Sequence, residues 1–324
     1  MLRNTIARFA VAALVAVTIA AAPARAADWP NRTVTILVTM AAGGSTDLLA
    51  RIAADKLSQK FGQTFIVENK PSAGGAVAST QVANSPPDGH TLLFSPSSAI
   101  NLTPLAQKMT IDPREKLIPI SNMATSVQFI AIKRSLPVTN LAEFFAYAKA
   151  HPGKLNFAAA GTNNLSHLTP LVLFKRAGVD VVMVPSRGET QAISDLMAGL
   201  VDFYFGNASV LMQYKDSPSI RLIAVGTAER LAAAPDIPSI SETVPGFDVS
   251  SWNGFLAPVG TPEAVIEKLR AAIAEIVNTP EVSERLVKLG LNKGGQNRSE
   301  VEAAFKKDRD YFAEAAKIAG LQPQ

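Results

Sequence analysis

Three histidines, His90, His151 and His167, are the natural starting points for acid–base or metal chemistry in this chain. None stands at metal-ligand spacing from another histidine or from a carboxylate cluster. His90 falls in a turn, and His151 sits at a helix end, Ala150-His151-Pro152-Gly153. His167 follows Ser166, which raises a nucleophile–base pair, but neighbours at i and i+1 on a helix point in different directions. No G-x-S-x-G elbow supports a serine hydrolase. No lysine precedes the Ser/Thr after Gly43-Gly44, as a phosphate-binding loop of the Walker type needs, and no G-x-G-x-x-G follows a strand pattern. The sequence therefore calls for no catalytic residue, no metal and no cofactor.

Binding remains, and two loops suit it. Met40-Ala41-Ala42-Gly43-Gly44-Ser45-Thr46-Asp47 follows an apolar strand pattern and leads into an apolar-periodic helix. Ala160-Gly161-Thr162-Asn163-Asn164-Leu165-Ser166-His167 repeats that arrangement more than a hundred residues later. A small-residue turn of this kind exposes backbone N–H groups at the positive end of a helix dipole, which favours an anion. Ser45 or Thr46 can cap the first helix, and their hydroxyls with the N–H groups around Gly44 can serve a carboxylate directly or through water. Asp47 reads either as a helix-start acid or as an acceptor near the ligand. Thr162, Asn163 and Ser166 read equally as ligand donors or as ordinary N-caps worth about 1 kcal/mol.

The elements that position these loops alternate strand and helix, which predicts an α/β fold with mostly parallel sheets. Strands are expected at 34–38, 65–67, 91–94, 127–132, 155–158, 179–184, 202–205 and 221–225. Helices are expected at 47–61, up to 83, and at 140–150, 166–177 and 189–198. Thr261-Pro262 then opens an amphipathic helix to about 277, followed by helices near 280–289 and 298–319.

The N-terminus reads as a secretory signal peptide over residues 1–26. Arg3 and Arg8 precede an apolar run too short to span a bilayer, and Ala24-Arg25-Ala26 is a cleavage signal. Cleavage removes three arginines and no acid, so 31 basic against 27 acidic residues becomes 28 against 27. That near-neutral balance, with no basic cluster interleaved with aromatics, gives no support to nucleic-acid binding. The absence of cysteine excludes disulfides and a lipid-modified cysteine anchor. A soluble periplasmic protein, monomeric and of about 300 mature residues, is expected, large enough for two domains.

Many modest motifs, in order, resemble the tripartite tricarboxylate transporter substrate-binding proteins, the Bug receptors. They include Trp29-Pro30-Asn31-Arg32, Gly43-Gly44-Ser45-Thr46-Asp47, Val67-Glu68-Asn69-Lys70-Pro71 and Ala73-Gly74-Gly75. Pro87-Asp88-Gly89-His90-Thr91, Pro152-Gly153-Lys154-Leu155-Asn156-Phe157, Ser251-Trp252-Asn253-Gly254-Phe255 and Gly260-Thr261-Pro262 continue the series. The resemblance implies a two-lobed type II periplasmic binding protein fold, with two mixed, mostly parallel sheets flanked by helices and a ligand cleft between the lobes. Lobe 1 would take 27–125 plus 227–324, and lobe 2 would take 126–226, with hinge strands near 121–127 and 221–227. It implies a receptor that captures a small organic carboxylate and delivers it to integral membrane transporter subunits. A sensing receptor for a membrane kinase and an exported hydrolase are the alternatives. Carried over by position, Gly44, Ser45, Thr46 and Asp47 match the family's first ligand loop, and Thr162, Asn163, Ser166 and His167 match the second. Met40, Gly43, Ser97, Gly161, Pro185, Phe205 and Asn207 complete the expected ligand contacts. The chain departs from the family pattern at Thr39-Met40-Ala41-Ala42, at Ser186-Arg187-Gly188 and at Gly206-Asn207, all bordering the expected pocket. Arg187 reads as a surface arginine, with neutralisation of a second carboxylate as the alternative.

Overall fold

The computed structural model describes residues 29–71, 73–161, 164–295 and 298–321. The expected signal peptide and the loop residues Thr162 and Asn163 lie outside the described residues. In chain order the strands are β1 (Val34–Val38), β2 (Phe65–Asn69), β3 (Thr91–Pro96), β4 (Leu117–Lys133), β5 (Asn156–Ala160), β6 (Val182–Ser186), β7 (Phe203–Asn207), β8 (Ile220–Val225), β9 (Ser250–Pro258) and β10 (Leu291–Lys293). The helices are α1 (Ser45–Phe61), α2 (Ala76–Ala83), α3 (Ser97–Asn101), α4 (Thr103–Ala106), α5 (Pro113–Lys116), α6 (Leu141–Ala150), α7 (Leu165–Arg176), α8 (Glu189–Met197), α9 (Ala208–Leu211), α10 (Glu263–Asn278), α11 (Pro280–Lys288) and α12 (Arg298–Ile318).

The parallel pairings belong to the βα units, as the alternation predicts. β1 lies between β2 and β3, and β5 lies between β6 and β7, all parallel. The antiparallel pairings come from longer strands that the apolar pattern does not reveal. β9 inserts between β3 and β4, while β7, β8 and β10 also run against β4. β4 is common to both sheets: residues 117–127 pair with β9, and the following stretch pairs with β7 and β8. The second passage between the sheets runs past Gly226, whose N–H donates to Gln128 and whose carbonyl accepts from Val249.

Burial explains these choices. β1 and β3 read as near-continuous apolar runs because helices cover both faces, as parallel strands require. α1 lays Leu49, Ile52, Ala53 and Leu57 against the first sheet, and each Leu or Ile so buried stabilises the fold by roughly 1.5–3 kcal/mol. Gly62, in the left-handed region at φ 67°, ends the helix by donating to Ser58. The second sheet packs Phe157, Phe203 and Phe205 against Phe144, Leu168 and Phe174. α12 bridges the two: Phe305 stacks on Trp252 of β9, and Phe312 and Ala315 join the α6–α7 core.

Candidate ligand-binding site

In a parallel sheet, ligands are bound beyond the carboxyl ends of the strands. In the first sheet these ends are Val38, Asn69 and Pro96; in the second they are Ala160, Ser186 and Asn207. Each sequence-predicted loop leaves such an end.

Gly43 turns the chain at φ 85°, a conformation that favours glycine, and Gly44 stands as the N-cap of α1. Neither Ser45 nor Thr46 caps the helix. The first intrahelical bond runs from Leu48 N–H to the Gly44 carbonyl, so the N–H groups of 45–47 face out of the helix start. Asp47 is buried and turned inward. Its Oδ2 accepts from Gly43 N–H at 2.9 Å and Arg51 Nε at 3.0 Å, and its Oδ1 accepts from Asn69 Nδ2 at 3.0 Å. Asn69 Nδ2 also reaches the Met40 carbonyl at 3.0 Å, which ties the loop to the end of β2. Burial pushes the Asp47 carboxyl up, but the Arg51, Gly43 and Asn69 hydrogen bonds outweigh it and hold it below the ordinary aspartate value. Thr46 also points inward and donates to Asn253 Oδ1 at 2.8 Å, while Asn253 Nδ2 donates to Ser126 of β4 at 3.0 Å. Helix α1 is thus tied to the strand shared by the two sheets.

This geometry makes Asp47 the clasp of the first loop. Asp47→Ala is expected to lower the unfolding free energy by about 2 kcal/mol, since three donors lose a charged acceptor. The folded-state value lies below the unfolded one, so this contribution is present above about pH 4 and fades as pH falls below it. Urea midpoints of wild type and variant, converging at acid pH, would show it; an equal gap at every pH would refute it.

In the second loop Asn164 is the N-cap of α7, accepting from His167 N–H at 3.2 Å. Ser166 Oγ donates to Asn164 Oδ1 at 2.7 Å and accepts from Ala160 N–H at 2.9 Å, so much of its capacity goes into holding the loop. His167 is half-buried, and burial lowers its pKa.

A cavity of about 140 Å³ opens in front of the first loop, lined there by Gly43, Gly44, Ser45 and Leu48. Its opposite wall is Ser209 and Val210 of α9, with Leu289 and Leu291 at the side. None of these four was anticipated from sequence. Asn207, which was, is the N-cap residue of α9 and stands two positions before Ser209. Of the other anticipated residues, Ser97 is buried just past the end of β3 and does not line the cavity. Its Oγ lies 3.1 Å from Ser251 Oγ, and it also hydrogen-bonds Asp308 of α12. Phe205 is wholly buried in the α6–α7 core, and Pro185 and Arg187 are exposed. Gly161, at φ 98°, begins the second loop but does not line the cavity. Among the described residues no group of histidines and carboxylates could hold a metal, and no helix is long and apolar enough to cross a membrane.

The family model described as the tripartite tricarboxylate transporter family receptor matches residues 49–309. The chain is 33% identical over 301 residues to a UPF0065 protein of Bordetella bronchiseptica, across 93% of this chain and 89% of that protein. Among solved structures, R. palustris Rpa4515 with adipate superposes with a TM-score of 0.82 at 29% identity, over 92% of this chain and 100% of that one. MatC from Rhodopseudomonas palustris with bound malate gives 0.76 at 29% identity, over 89% and 100%. The fold is thus the mixed α/β periplasmic binding protein fold, with helices flanking its sheets.

Proposed function

Because the chain belongs to the tripartite tricarboxylate transporter receptor family, we propose that it captures a small organic carboxylate in a cleft between two lobes and delivers it to a membrane transporter of that type. The observation that carries this reading is the cavity between the helix start at Gly43–Gly44–Ser45 and helix α9. One wall offers outward backbone N–H groups and a positive dipole end, which together favour a carboxylate. The other wall is helix α9, which directly follows β7 of the second sheet, so a solute held here touches both halves of the molecule. The adipate and malate in the related structures add support for this ligand class.

In this reading residues 27–125 plus 227–324 form one lobe, 126–226 form the other, and β4 with the Gly226 passage is the hinge. Closure is a hinge motion around the solute. The loop residues Met40, Gly43, Gly44 and Ser45 take the carboxylate, while Thr46 and Asp47 hold the loop in shape. Gly161, Ser166, His167 and Asn207 are the second lobe's contacts in this reading; Thr162 and Asn163, expected from sequence in the same loop, lie outside the described residues. Ser97 and Phe205 are buried and shape the walls from behind, while the exposed Pro185 meets the ligand from the second lobe. Residues 1–26 export the chain as a cleaved signal peptide, and the mature protein acts as a monomer in the periplasm without altering its ligand.

A ligand that binds only the folded state stabilises it by about 2.7 kcal/mol at a hundredfold excess over Kd. Mature protein screened by thermal shift against mono- and dicarboxylates should therefore melt higher with some of them. No shift across the panel, together with no small molecule released on denaturation and mass spectrometry, would refute the reading.

A further inference from the structure

Glu189 is the first residue of α8, directly after the bend at Gly188 that follows β6. Its Oε1 accepts from Asn207 Nδ2 at 2.6 Å and lies 3.5 Å from the Tyr204 hydroxyl, both on β7. Tyr204 reaches it by laying its ring across Gly206, where a Cβ would fall 2.0 Å from a ring carbon. The strand order is β7-β5-β6, so a side chain joining Glu189 to Asn207 passes over the carboxyl end of β5. The second loop begins there, at Gly161. A carboxylate therefore stands at the strand ends from which the second loop departs. Its hydrogen-bond partners, Asn207 and Tyr204, are neutral, and Arg187 nearby in the chain is exposed. Burial pushes the Glu189 carboxyl up despite these hydrogen bonds. That is the response of an acid with no cation to pair with.

We propose that Glu189 makes the second-lobe end of the site a hydrogen-bond acceptor, so that the receptor selects a monocarboxylate with a donor at its far end and rejects a dicarboxylate of equal length. The ligand's own carboxylate then sits at the first loop, and its hydroxyl, ammonium or amide N–H meets the Glu189–Asn207 end. Discrimination comes from the repulsive element as much as from the attractive one, because two carboxylates at one site resist joint ionisation. This inference rests on the carboxylate-receptor reading above.

The test is isothermal titration at neutral pH of adipate and succinate against their ω-hydroxy and ω-amino monocarboxylate counterparts. Wild type should favour the donor-ended members by about tenfold or more, a difference of about 1.4 kcal/mol. Glu189→Gln keeps the shape and the contact with Asn207 but removes the charge, and should erase or invert that preference. Glu189→Ala serves as the second variant should the glutamine repack. Equal affinities in wild type, or a preference unchanged in both variants, would overturn the proposal alone. Failure of every member to bind any of the proteins would instead overturn the receptor reading, and this proposal with it.

Discussion

Asp308→Asn is expected to raise the melting temperature at about pH 8 and to flatten the pH dependence of stability between about pH 4 and pH 7. Asp308 sits on α12, is buried, and leaves its Oδ2 with no hydrogen-bond partner among the described residues. Burial drives its pKa up to about 7; the Ser97 hydroxyl and Lys307 pull it down, and Asp248 adds to the rise. The folded protein thus binds this proton more tightly than the unfolded chain does. Stability is greatest at or below the unfolded value near 4, falls as pH rises toward 7, and is level beyond. The span of about three pH units corresponds to as much as ~4 kcal/mol. Asparagine has the shape of the protonated acid and cannot ionise, so it should retain the low-pH stability throughout. The trend is opposite in sign to that of Asp47, so a double variant separates the two groups. Urea midpoints from about pH 4 to pH 8 check it; a wild-type stability that does not decline over that range refutes it.

Gly254→Ala is expected to cost about 3 kcal/mol or more, at the upper end for overpacked sites. Gly254 lies in β9 opposite Asn122 of β4, beside the register shift that follows that residue. An added Cβ would stand 2.4 Å from the Ser121 carbonyl oxygen and 3.0 Å from Asn122 Cα. Both atoms are backbone, so no rotamer change relieves the clash. From the other side Gly294 crowds the same spot, where a Cβ would lie 2.3 Å from the Asn122 carbonyl oxygen. The urea midpoint should fall sharply with little change in slope. A methyl group tolerated at less than about 1 kcal/mol would mean that the strands are not held at this spacing.

This region is also where the sequence is hardest to read. Val34–Val38 and Thr91–Pro96 stand out because apolar runs between turn residues are the mark of covered parallel strands. Ser250–Pro258 opens with serine, tryptophan, asparagine and glycine, which pattern as a loop. It is nevertheless a central strand, because its polar side chains meet one another inside the fold: Ser251 with Ser97, and Asn253 with Thr46 and Ser126. The first half of β4 is masked likewise by Pro119, Ser121 and Asn122 at its irregular register. At the candidate site the first loop was legible through its glycines and the helix that follows, whereas the inward turn of Thr46 and Asp47 depends on tertiary partners far along the chain. Glu189 escaped notice because an acid in the first turn of a helix ordinarily answers the helix dipole from the surface. Only the strand order, which brings Asn207 beside it, reveals the half-buried contact.

The insertion of β9 between β3 and β4 has a temporal consequence. Until residues 250–258 arrive, β3 and β4 each present an unpaired edge, and the N-terminal strands have no route to the strand that leads into the second sheet. The second sheet, by contrast, is drawn from residues 128–225 and closes on sequence-near partners. Chain entropy therefore favours an order of events in which the middle of the chain consolidates early and its two ends wait for each other. Late joining of distant segments is the slow kind of folding, and exposed strand edges in the interval invite aggregation. Truncation after the middle segment would leave those edges open, which makes the C-terminal third the part of the polypeptide that completes the sheet begun by its first strand.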